Sequence, residues 1–203
     1  MNTLMDNYAK MLQEAKLRFL TYDRESLLQN PGVAPWERGV QTVFLGSAVF
    51  CDCSTGAITT KEGKECDFSQ VLSVLDYICD RKTSAKEQGE FCPVGSLPGV
   101  FVGGSGLSMG FETLAERVQN APDAFQKACH LLGAEEIPLG DMGYKLHIFP
   151  DLCMELKFYF ADEDFPPQLT FLWDKNILQF VRYETVYYIA GCIARELCSR
   201  MDN

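Results

Sequence analysis

The stretch 143–173, GYKLHIFPDLCMELKFYFADEDFPPQLTFLW, leaves few options for the fold. Leu152, Met154, Leu156, Phe158 and Phe160 alternate with Cys153, Glu155, Lys157 and Tyr159. That is the two-residue period of a strand with one buried face. Tyr144, Leu146 and Ile148 before it, and Leu169, Phe171 and Trp173 after it, repeat the alternation over shorter runs. Between the last two runs, Pro166 and Pro167 cannot donate to a sheet ladder and must interrupt it. Two successive β-hairpins follow, with one greasy side to be sealed by helices.

The rest of the chain supplies those helices and one more hairpin. Leu4, Tyr8, Met11, Leu12, Ala15 and Phe19 recur at helical spacing, and Asp23 can cap a second, short helix that ends at Asn30-Pro31-Gly32. Residues 41–51 are strongly β, with Gly46 marking a bulge. Cys53-Ser54-Thr55-Gly56 reads as a turn and 57–60 as a short return strand. Asp67-Phe68-Ser69-Gln70 has the form of a capping box and opens a helix with Val71, Leu72, Leu75, Ile78 and Cys79 as its buried stripe. Residues 81–90 are polar and read as a flexible loop, and 111–118 as a helix. Pro122 and Gly133 suit the start and end of another helix, whose inner face is Phe125, Ala128, Cys129 and Leu132. Val186, Ala190, Ile193 and Leu197 carry the last helix.

Strands and helices therefore come in clusters rather than in βαβ rhythm. The expected class is α+β, a mainly antiparallel sheet of hairpins packed against helices with a C-terminal helix. The 203 residues fit a single domain over 1–203. Its helical N-terminal part would cover about 1–34 and its α+β body about 35–203.

A formal charge of −10 argues against nucleic acid and anionic membrane partners, which need clustered Lys and Arg. The nine cysteines are odd in number and lack a framework spacing, so reduced thiols are expected. The first residues, Met1-Asn2-Thr3-Leu4-Met5-Asp6, have neither the basic nor the apolar region of a secretory leader. A cytoplasmic setting is the expectation.

The run FPDLCMELKFYFADEDFPPQLTFLWD resembles the family called domain of unknown function 3786. Phe149-Pro150, then Asp162-Glu163-Asp164-Phe165-Pro166-Pro167, then Trp173-Asp174 fill its pattern of F-P, an acidic F-P-P corner, and a strand closing on Asp. Ala161 stands where a Gly is usual, and Cys153 near where a second Pro is usual. The resemblance extends from about Asn7 to the C-terminus and carries no established activity. It implies an anaerobic setting and an accessory role around cofactor metabolism. Longer relatives join an iron–sulfur segment with four clustered cysteines, a cluster this sequence lacks.

Several groups can carry chemistry. Gly103-Gly104-Ser105-Gly106 before a helix suits an anion, yet no Lys falls between Gln88 and Gln126, and a flexible connection is the simpler reading. Cys51 and Cys53 project from the same side of an extended segment as a candidate soft-metal pair. His147 faces Met154 or Glu155, depending on the length of the loop at Pro150-Asp151; buried near Trp173, it would be a ligand contact. Asp162, Glu163 and Asp164 either bind a hard cation or serve as acid and base, or form a structural turn with Phe165 docked on the core. With only two histidines so placed, no Ser-His-Asp or Cys-His arrangement can be argued.

The leading expectation is a binding module holding a small molecule or cofactor among aromatic side chains, with His147, Asp162, Glu163, Asp164 and Trp173 as contacts. The alternatives are a divalent-cation-dependent enzyme using the acidic loop, and metal or redox handling through Cys51 and Cys53. Tyr188 and Ile189, outside the main stripe of the last helix, raise a homodimer as a further expectation.

Overall fold

The computed structural model describes residues 3–100 and 111–202, with side chains from Asn7 onward. Helix α1 (Thr3–Phe19) is followed by the short α2 (Arg24–Leu27), whose N-cap Asp23 accepts a hydrogen bond from the Ser26 N–H. Strands β1 (Val33–Trp36), β2 (Gly39–Phe44), β3 (Ser47–Asp52) and β4 (Ile58–Thr60) then form an antiparallel sheet in sequence order.

Gly46 makes a turn here, not a bulge. Leu45 (φ 49°) and Gly46 (φ 74°) are both left-handed, as a two-residue mirror-type hairpin turn requires. A leucine in that conformation costs about 1–2 kcal/mol. The cost is offset because Leu45 is only 5% exposed and its N–H donates to the Ile148 carbonyl at 3.0 Å. The turn is thereby pinned to the second sheet.

Helix α3 (Phe68–Cys79) starts on the expected capping box, with both reciprocal bonds between Asp67 and Gln70 formed. Every residue from Val71 to Cys79 is buried, so the helix is enclosed rather than half-exposed on a stripe. It packs against both α1 and α6 (Tyr183–Met201). On another side the Tyr77 ring stacks parallel on Phe149 at 3.8 Å, and Phe44 lies 5.2 Å beyond. That aromatic column joins α3 to both sheets.

The second sheet has the order β5-β9-β8-β7-β6, all antiparallel. Its strands are β5 (Phe91–Pro93), β6 (Glu135–Glu136), β7 (Met142–Phe149), β8 (Leu152–Tyr159) and β9 (Gln168–Asp174). Tyr144, Leu146, Met154, Phe158, Phe171 and Trp173 are buried on its core face. Between β5 and β6 come α4 (Glu112–Asn120) and α5 (Pro122–Leu131). Phe125 of α5 meets Tyr144 edge-on at 5.6 Å, and Phe111 stacks on Phe171 at 4.6 Å. Phe160, expected to continue the inward series, falls past the end of β8 and is 38% exposed.

Residues 81–90 are not a loose loop. The Arg81 side chain is 5% exposed, lies 4.6 Å over the Phe180 ring and pairs with Asp151 at 2.6 Å. The fully buried Asp174 accepts from the N–H groups of Gln88, Gly89 and Asn176 at 2.7–3.1 Å. The chain is thus α+β, with two antiparallel sheets and, among the described residues, six α-helices ending in α6. No described helix is long and apolar enough to cross a membrane.

Candidate functional site

The structure separates the residues that the sequence brought under suspicion. In β7 the register shifts between His147 and Phe149, so that Phe149 faces Leu152 and His147 faces Cys153. The extra residue is Ile148 within the strand, not one in the loop, and His147 therefore meets neither Met154 nor Glu155. His147 is exposed on the open face of the sheet, while Trp173 is fully buried on the other. They do not share a site.

What His147 does meet is a thiol. The Cys153 sulfur lies 3.2 Å from its Nδ1 and 3.8 Å from its Nε2, distances that place the sulfur over the ring rather than along either lone pair. Glu87 accepts from the Cys153 N–H at 2.7 Å. Burial, and then the Glu87 carboxylate, push the thiol up to about 12. A protonated sulfur beside a misaligned imidazole is not a poised nucleophile.

Asp162, Glu163, Asp164 and Phe165 are all exposed. The Asp162 carboxylate accepts from the N–H groups of Asp164 (2.9 Å) and Phe165 (2.8 Å). That closes the corner on itself, as Asp does in turns. Phe165, expected to anchor the corner on the core, is 61% exposed. Cys51 is fully buried and Cys53 half-buried. Burial and the nearby Cys66, Cys79 and Cys53 raise the Cys51 thiol. Among the described residues, no group of three or more His, Cys, Asp or Glu is placed to hold a metal ion. The glycine run at 103–106 lies outside the described residues.

Charged chemistry converges elsewhere. Between α1, α3 and the start of α6 lies a cavity of about 460 Å³, within the range of small-molecule sites. On its wall Asp76, 5% exposed, accepts from Arg18 Nη2 at 2.8 Å and from the Thr185 hydroxyl. Behind it Asp80 accepts from Arg18 Nη1 at 2.7 Å and pairs with Arg182 Nε at 2.6 Å. Two guanidinium groups and two carboxylates thus close a four-charge ring from three helices.

The ring's electrostatics follow from its burial. Desolvation raises the Asp80 carboxyl, and the adjacent Asp76 adds to this, while Arg18 opposes it. Burial alone would lower Arg18, but its bonds to Asp76 and Asp80 hold it above the ordinary arginine value. The Arg18 Nε–H is itself buried and has no acceptor. A larger cleft of about 500 Å³ beside the β2–β3 turn has no carboxylate as buried as Asp76, its Arg195–Asp67 pair being 54% and 51% exposed. The helical cavity is the stronger candidate because groups stripped of water and perturbed in their titration mark functional sites.

A family model described as Domain of unknown function (DUF3786) matches residues 23–196. The chain belongs to the DUF3786 family. No curated protein and no solved structure matches it. The DUF3786 span takes in Asp76, Asp80, Arg182 and Thr185, whereas Glu14 and Arg18 of α1 precede it. Within the DUF3786 pattern, the acidic corner is a self-capped turn and the closing Asp174 is the buried acceptor that holds Gln88 and Gly89.

Sequence reasoning missed the cavity because its ring joins residues from Arg18 to Arg182. One signal was present: Asp76 is the lone charge inside VLSVLDYIC. A carboxylate within a largely apolar helical run demands a partner.

Proposed function

We propose that the protein is a small-molecule-binding module whose ligand occupies the cavity between α1, α3 and the start of α6. One observation carries this reading: a metabolite-sized cavity bordered by an Asp–Arg ring in which Asp76, Asp80 and Arg18 are largely buried and Arg182 is half-exposed. Buried ion pairs of this kind seldom improve on a packed apolar wall as a source of stability. The Nε–H of Arg18 adds a buried donor that has no acceptor among the described residues. The aromatic faces of the second sheet, the place expected for a ligand, are filled by their own side chains instead.

An accessory role in anaerobic cofactor metabolism is supported by the family resemblance alone. Cation-dependent catalysis at Asp162, Glu163 and Asp164, and metal handling at Cys51 and Cys53, have no comparable geometry behind them.

A thermal-shift and native mass-spectrometry screen against a metabolite panel tests the reading, with Met11→Trp as the control. Met11 lines the cavity and is 39% exposed, so a larger side chain there blocks the space without disturbing the core. A true ligand at one hundred times its Kd stabilises by about 2.7 kcal/mol, several degrees in Tm, in the wild type only. A stabilising ligand that acts equally on Met11→Trp places the site elsewhere and ends the reading.

A further inference from the structure

We propose that this cavity takes a small organic cation, an ammonium group on a short apolar body. The inference rests on the cavity being the ligand site. Its first support is what the arginines are already doing. Arg18 is committed to Asp76 and Asp80, and Arg182 to Asp80. The ring sums to zero charge, so it offers no net positive charge to an incoming anion.

Two further carboxylates line the same cavity. Glu14 has one ion pair among the described residues, with Lys10 at 3.9 Å, and those side chains are 65% and 74% exposed, a weak pairing in water. Glu184 has no ion pair among the described residues; it sits in the first turn of α6, where the helix dipole favours an ionised carboxylate. Among the described residues, the cavity therefore presents net negative charge that only the exposed Lys10 offsets. An anion entering it would face that charge with no net positive charge in the ring to offset it.

The remaining wall is apolar: Met11, Ala15, Leu72 and the Tyr188 ring. An aromatic face beside carboxylates suits an alkylammonium, which is drawn to the ring and to the charge together. The Tyr188 hydroxyl is raised by burial first and then by Tyr8, Glu184 and Asp76.

Titration calorimetry with n-butylammonium, butyrate and 1-butanol as probes tests the proposal. Butylammonium is expected to bind about tenfold or more tighter than butyrate. The double variant Glu14→Gln with Glu184→Gln, on exposed positions that leave the helical circular-dichroism signal intact, should erase that preference. Butyrate binding as tightly as butylammonium, or a preference that survives the double variant, overturns the proposal. If butyrate or butanol binds the wild type as tightly as butylammonium and is lost in Met11→Trp, the cavity remains a ligand site and only the cation inference fails. If no probe binds, the cation inference falls, and the Met11→Trp comparison in the metabolite screen decides the reading of the cavity.

Discussion

Asp76 and Thr185, 109 residues apart, meet where the threonine hydroxyl donates to the buried carboxylate at the cavity wall. The contact fastens the start of α6 to the middle of α3, and Arg18 brings α1 to the same carboxylate. Asp76→Asn removes the charge that balances the ring and should cost about 3–5 kcal/mol. Thr185→Val removes one donor and should cost about 1–3 kcal/mol. Urea unfolding of both variants checks the order; a loss below about 1 kcal/mol for Asp76→Asn would mean that the ring bears little of the helices' packing.

Asp52 gives the fold a sensitivity to acid. It is 2% exposed, and hydrogen bonds from the Ser54 hydroxyl, from the Ser54 and Thr55 N–H groups and from Arg38 lower its carboxyl from 3.8 to about 2. Because the folded carboxyl titrates below the unfolded one, its contribution is present above the ordinary value and is lost as pH falls from about 4 towards 2. Asp52→Asn should lower stability by about 2 kcal/mol at neutral pH and flatten the profile in that acid window. Denaturation midpoints from pH 7 down to 2 would reveal it; parallel wild-type and variant profiles would contradict it.

Two glycines should respond very differently to alanine. At Gly32 an added Cβ would lie 1.6 Å from the Tyr77 hydroxyl oxygen, and that ring is held by Phe149 and by a 2.6 Å bond to Asp151. Gly32→Ala should cost about 3 kcal/mol or more. At Gly46 the nearest atom is 3.5 Å away and only the positive φ resists, so Gly46→Ala should cost about 1 kcal/mol. Equal losses in guanidinium melts would refute the steric account of Gly32.

Much of this architecture can be read in the residues. The Asp67–Gln70 box, the Pro122 start, the left-handed Gly133 and the alternation through β7, β8 and β9 are short-range patterns, and each gives the element it advertises. What escapes is whatever depends on a distant partner. Leu45 looks like one more strand residue until Ile148 accepts its N–H. Residues 81–90 look like a flexible loop until Arg81 is buried against Phe180 and Asp174 takes the amides of Gln88 and Gly89. His147 changes partner because one residue, Ile148, is absorbed inside a strand rather than in the neighbouring loop, and no local signal distinguishes the two. The ring of Arg18, Asp76, Asp80 and Arg182 is of the same kind, since helix packing alone brings it together.

The thiols should react in the order of their exposure. Cys198, half-buried near the end of α6, should be alkylated first by iodoacetamide at pH 8. Cys66, raised by burial to about 11, should lag behind it. Cys79, Cys153 and Cys192, each pushed by burial to about 12, and the fully buried Cys51 and Cys129 should wait for unfolding. Peptide mass spectrometry over time reads the order directly. Early labelling of Cys153 would show that His147 activates it after all.

Trp173, sealed in the core with no acceptor for its indole N–H, and Trp36, half-exposed against Phe50 at 5.2 Å, are the molecule's two tryptophans. Each belongs to a different sheet. The protein therefore carries a short-wavelength fluorophore in one and a longer-wavelength one in the other. Replacing either with phenylalanine would let light report whether the two halves of the β-structure melt together or in turn.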